Sequence, residues 1–171
     1  MKILCTLIIL CSVLTTSYGQ IKTPEQVGQE VFTILKNTET GGFEGFVAKM
    51  PKIELFLEVM ADKNVGEEVR ESFGEITDET LGFLYTEIYD DLLKMNMELE
   101  FEWKDITFKE FTYTLEDDDG LQGLSGTVTF TVNKEEYFVE TAALLWNGVY
   151  HLMYIEDVRD FNFGEEVEVD E

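Results

Sequence analysis

A carboxylate held beside phenols and away from water can take up a proton while a phenol steadies the oxyanion that develops. In this 171-residue chain the groups for such chemistry lie in the last third, where Glu156 falls at strand spacing from Tyr154 and Tyr150, with Tyr137 and Thr141 on the stretch before them. Glu156 is the one catalytic candidate, a proton acceptor for an isomerase or dehydratase type of reaction. Tyr137, Thr141, Tyr150, Tyr154 and Glu156 together form the candidate ligand-binding set. The same residues also fit a plainer arrangement, with Glu156 solvated at a rim and the tyrosines at the core edge with satisfied hydroxyls.

Other chemistries find little material. His151 is the only histidine, which removes histidine-rich metal sites; a single imidazole in an apolar strand reads as a packed or interface residue. Both cysteines, Cys5 and Cys11, fall in a segment that reads as an export signal. Lys2 is its charged start, Ile3 to Leu14 its mostly apolar middle, and Ser17 and Gly19 are the small residues ahead of a cut before Gln20. The apolar run is shorter than the ~20 residues that span a bilayer, so the expectation is an exported protein, periplasmic or secreted, without a membrane span. Its mature form would carry no thiol, hence no disulfide, cysteine nucleophile or thiolate metal site. No cofactor and no metal are expected. Glu116-Asp117-Asp118-Asp119-Gly120 supplies the Asp and Gly of a hairpin turn and lacks the distal Glu of an EF-hand loop, so it reads as a solvated turn, with weak calcium binding as the alternative.

Charge narrows the partners. Twelve Lys and Arg stand against 36 Asp and Glu, a formal charge of −24; loss of Lys2 with the signal would make it −25. Such a surface repels phosphates, which argues against nucleic acid and against anionic membrane surfaces. With 44% hydrophobic residues and only two prolines, the chain has the apolar content to offset the entropy lost on folding. A single domain over residues 20–163 is expected, followed by an acidic tail over 164–171.

The groups above need elements to hold them. Thr23-Pro24-Glu25-Gln26 is a helix start, and Val27, Val31, Phe32 and Leu35 give that helix an apolar face until Thr38 to Gly42 stops it. Two helical pieces hinged at Pro51, 43–50 and 52–62, and a short one over 65–73 should follow. A long amphipathic helix over 78–99 then carries Leu81, Leu84, Tyr85, Ile88, Leu92, Met95 and Leu99. After Trp103 the apolar period drops to two, the period of strands. Four strands are legible, over 106–115, 124–132, 137–146 and 149–158, with a phase slip at Lys109-Glu110 that predicts a bulge and an acidic loop between the first two.

Asn147-Gly148 predicts a two-residue type I′ turn and thereby a register. It opposes Trp146 to Val149, Leu145 to Tyr150, Ala143 to Leu152, Thr141 to Tyr154 and Val139 to Glu156, all but the first pair on one face with Val128, Phe130 and Val132. That face is the core side. The other carries Leu144, Trp146, Val149, His151, Met153 and Ile155, too apolar for simple solvent contact, so these six are the expected interface residues of a homodimer.

Helices first, then a bent four-stranded meander ending in the hairpin from Tyr137 to Leu152, resembles the exported NTF2-like (cystatin-like, α+β cone) proteins of Bacteroidetes-type bacteria. The resemblance implies an α+β fold whose N-terminal helices pack on a curved antiparallel meander, enclosing a cone whose mouth can hold a ligand, with dimers formed through the outer face of the sheet. The expected role is therefore a non-catalytic binding or interaction module, with a small apolar ligand in the cone or a protein partner. An enzyme using Glu156 and a purely structural dimer are the alternatives.

Overall fold

The computed structural model describes residues 20–118, 120–156 and 158–160. The export segment with Cys5 and Cys11, Asp119 of the acidic loop and the acidic tail lie outside the described residues.

Helix α1 (Pro24–Val47) begins where the sequence places it: the Thr23 N–H donates to Gln26 Oε1 at 3.2 Å, and proline, whose missing N–H costs nothing in a first turn, follows. Its buried stripe is Val27, Val31, Ile34, Leu35 and Thr38. The expected stop at Thr38 to Gly42 is a bend instead. Gly42, at φ +63°, turns the chain in a left-handed conformation open to a residue without Cβ, and the helix resumes to Val47. Helices α2 (Ile53–Ala61), α3 (Glu67–Gly74) and α4 (Asp78–Glu98) follow. The reciprocal bonds of Thr77 and Thr80, at 2.9 and 3.2 Å, close the first turn of α4.

Two phenols fasten α4 to the chain before it. Tyr85 donates to the Pro51 carbonyl at 2.6 Å and Tyr89 to the Thr38 carbonyl at 3.1 Å. Burial pushes the Tyr85 hydroxyl up to about 12, so it remains a donor across the physiological range. Among the described residues no helix is long and apolar enough to cross a membrane.

The strands β1 (Thr107–Asp118), β2 (Leu121–Val132), β3 (Glu135–Trp146) and β4 (Val149–Ile155) form a curved, unclosed antiparallel meander in sequence order, so the architecture is the expected α+β arrangement. A fifth strand that the sequence did not suggest, β5 (Arg159–Asp160), returns to pair with Tyr137 and Phe138 of β3. The bulge read from Lys109-Glu110 is present as a register shift between Phe108 and Glu110. The acidic loop is shorter than expected, because β1 and β2 stay paired out to Asp118 and Leu121. Gly120 turns between them at φ +84° with no room for a Cβ beside the Asn64 carbonyl.

One side of the sheet faces α1 and α4 across a filled core. Phe101, Trp103, Phe130 and Tyr137 pack ring on ring there, with centroids 5.0 Å apart for Phe101 and Trp103 and 5.8 Å for Phe130 and Tyr137. Trp103 is fully buried and donates its indole N–H to the Leu92 carbonyl at 3.2 Å. Where α1 crosses β1 the Phe111 ring occupies the space left by two glycines, Gly28 and Gly126.

Candidate functional site

The β3–β4 register decides which side chains share a face. As expected, Trp146 opposes Val149, Leu145 opposes Tyr150 and Ala143 opposes Leu152. Beyond that point the expectation fails, because an extra residue in β4 shifts the register between Ala142 and Ala143. Ala142 then opposes Tyr154 and Thr141 opposes Ile155, and a one-residue slip exchanges the faces of all that follows. Ile155 becomes a core residue at 1% exposure, not an interface residue, whereas Tyr154 moves to the outer face at 39%. Glu156, whose N–H donates to the Glu140 carbonyl at 2.8 Å, lies on that outer face as well.

The candidate ligand set is therefore divided by the sheet. Tyr137 is buried on the helix side, stacked on Phe130, with its hydroxyl on Glu135 Oε2 at 2.8 Å. Thr141 is buried and donates to the Tyr154 carbonyl at 2.7 Å. Tyr150 is a core residue at the hairpin end, and its N–H donates to the Ile21 carbonyl at 2.7 Å. Tyr154 and Glu156 share the opposite face, where Thr141 also borders the depression they line. Glu156 there meets Arg159 at 2.9 Å, and the same guanidinium reaches Glu140 at 4.0 Å.

The outer face has two unlike halves. Around the β3–β4 hairpin its apolar residues are covered from within, by the helices that the sequence had placed on the other side. Leu144 (6% exposed) and Leu121 pack with Leu55 and Val59 of α2, with Val65, and with Val69 and Phe73 of α3, while Trp146 and Met153 join the margin of this cluster. Trp146 also donates its indole N–H to Glu58 Oε2 at 3.3 Å. Val149 and His151 are half-buried at its edge. Burial holds the His151 imidazole below its ordinary value, with the Glu58 charge partly opposing. The patch that motivates a homodimer is thus largely covered within one molecule.

The remaining half of the outer face is open and polar. A shallow depression of about 460 Å³ runs across the four strands there, lined by the hydroxyl residues Thr112, Thr114, Ser125 and Thr127 and by Glu140, Tyr154 and Glu156. Period two places those threonines on one face, and that was readable; the groove itself was not, since it exists only because the register slip delivers Tyr154 and Glu156 to the same side. No group of three or more His, Cys, Asp or Glu with metal-holding geometry occurs among the described residues. No protein-family model matches this chain, and no curated protein or solved structure is significantly similar to it.

Proposed function

We propose that this chain is an exported, non-catalytic binding module of the NTF2-like cone type, and that it takes its ligand on the open half of the outer sheet face instead of inside the cone. The observation that carries the reading is the contrast between the two sides. The helix side is packed with Phe101, Trp103, Phe130 and Tyr137, whereas the open side offers hydroxyls, carboxylates and one exposed phenol in a groove of about 460 Å³, a volume of the size that ligand sites occupy. The sign of the protein's charge, −24 in all, favours a cationic ligand. Of the groups read as a proton-transfer set, Tyr137 is buried on the helix side, whereas Tyr154 and Glu156 line the open depression together.

The test is a titration of the methyl-labelled mature chain with an eight-residue oligolysine, followed by NMR. The expected result is movement of the Thr112, Thr114 and Thr127 methyl signals, reduced in Glu140→Gln, with the Val128 and Val139 methyls unmoved. Movement of Val128 and Val139 on addition of a small apolar probe, with the threonines silent, would return the ligand to the cone and refute the reading.

A further inference from the structure

We infer that β1 is a docking edge for an extended basic peptide segment, which adds to the sheet as one more strand; this rests on the reading of the chain as a binding module and names its partner's chemistry. β1 is twelve residues long and, among the described residues, pairs with β2 alone. The opposite edge of the sheet is met by the chain itself, where the Tyr150 N–H bonds to the Ile21 carbonyl at 2.7 Å. Along β1, every residue from Thr112 to Asp117 is exposed, on both faces of the strand. Tyr113 and Leu115 lie on the helix side, opposite Gly126 and Leu124, yet they remain 38% and 63% exposed. Tyr113 stacks on Phe111 and donates to Glu25 Oε1 at 2.9 Å, and an added strand would cover the rest of its ring and Leu115, while the outer backbone edge of β1, unpaired among the described residues, is open to main-chain hydrogen bonds.

Charge selects the strand. Lys109, at the bulge, is held by Glu136 at 2.6 Å. Glu110, Glu116 and Asp117 make no ion pair among the described residues, so the charge left on this edge is negative. A second copy is a poor occupant: antiparallel pairing of two β1 strands about Tyr113 would set Glu110 against Glu116 twice, and directly opposed like charges destabilise a sheet. The opposed Lys109 and Asp117 do not offset this, because each Lys109 is already held by Glu136. A partner strand of alternating character fits both faces. Its Lys or Arg side chains would meet Glu110 and Glu116 on the outer face, and its apolar side chains would lie against Tyr113 and Leu115 on the other.

The test uses the labelled mature chain and two capped ten-residue peptides, one alternating lysine with valine and the other glutamate with valine. The lysine peptide should slow hydrogen exchange of β1 amides between Phe111 and Asp117, and its affinity should fall about tenfold as salt rises from roughly 0.05 to 0.5 M. The glutamate peptide should not bind. E110K/E116K should weaken binding by about tenfold or more, whereas the same charge change on exposed positions of α3 and α4, E71K/E87K, should alter it by less than about twofold. Equal weakening by the two double variants, or protection on β4 in place of β1, overturns the edge assignment. If oligolysine moves the open-face threonines and the alternating peptide protects nothing on β1, the edge assignment fails and the binding reading stands. If neither probe binds, both fall.

Discussion

Trp103→Ala is expected to remove about 4 kcal/mol of folding stability, read from urea unfolding of the mature chain. The side chain is fully buried among Phe101, Phe130 and the α1 face. Its loss also leaves the Leu92 carbonyl without the indole donor. For a domain with a total stability of roughly 5–15 kcal/mol, that is enough to leave a large unfolded fraction at moderate temperature. Trp103→Phe keeps most of the ring volume and should cost less than half as much. A loss below about 1 kcal/mol for the alanine variant would mean that the space between helices and sheet is not packed as described, and the cone interior would again be open to a ligand.

The second large effect separates the two accounts of the outer face. Leu144→Asp places a carboxylate into the apolar cluster of Leu55, Val59, Val65 and Leu121. The expected cost is about 3 kcal/mol or more. Limited proteolysis should then cut between α2 and α3, whose packing on the sheet depends on this cluster. Had the patch been a contact between two copies, the same substitution would abolish association and leave the monomer as stable as before; that outcome would show α2 and α3 to be elsewhere in solution.

Much of the fold is written in local pattern. The Thr23-Pro24 start, the four-residue recurrence from Leu81 to Leu92 and the Asn147-Gly148 turn each depend on residues near in sequence, and each is where the pattern places it. The Lys109 bulge was legible for the same reason, since Phe108 and Phe111 are three apart where a strict alternation needs two. An equal slip separates Leu152 from Ile155, and beyond it Val158 is again three on and buried. That spacing was the available signal for the β4 bulge, and reading through it put Glu156 and Tyr154 on the wrong face. The division of the outer face was less accessible. Leu144 and Trp146 do announce that something must cover them, but whether a second chain or the α2–α3 segment does so depends on how far the Pro51 hinge carries α2 around the sheet end. No local spacing encodes that path. Exposure of Tyr113 and Leu115 is hidden for a related reason: their period matches that of core residues, yet both remain exposed on the helix side of the sheet.

The central claim is that the sheet's outer face is half closed by α2 and α3 and half open as a polar binding surface. Its most direct test is solvent paramagnetic relaxation of side-chain signals in the mature chain, with a neutral gadolinium chelate as the probe. Strong enhancement is predicted for Thr112, Thr114 and Leu115, intermediate enhancement for Thr127, and almost none for Leu144, Leu121, Val128 and Val139. Strong enhancement at Leu144 and Leu121, with protection at Thr112 and Thr114, would reverse the two halves and contradict the account.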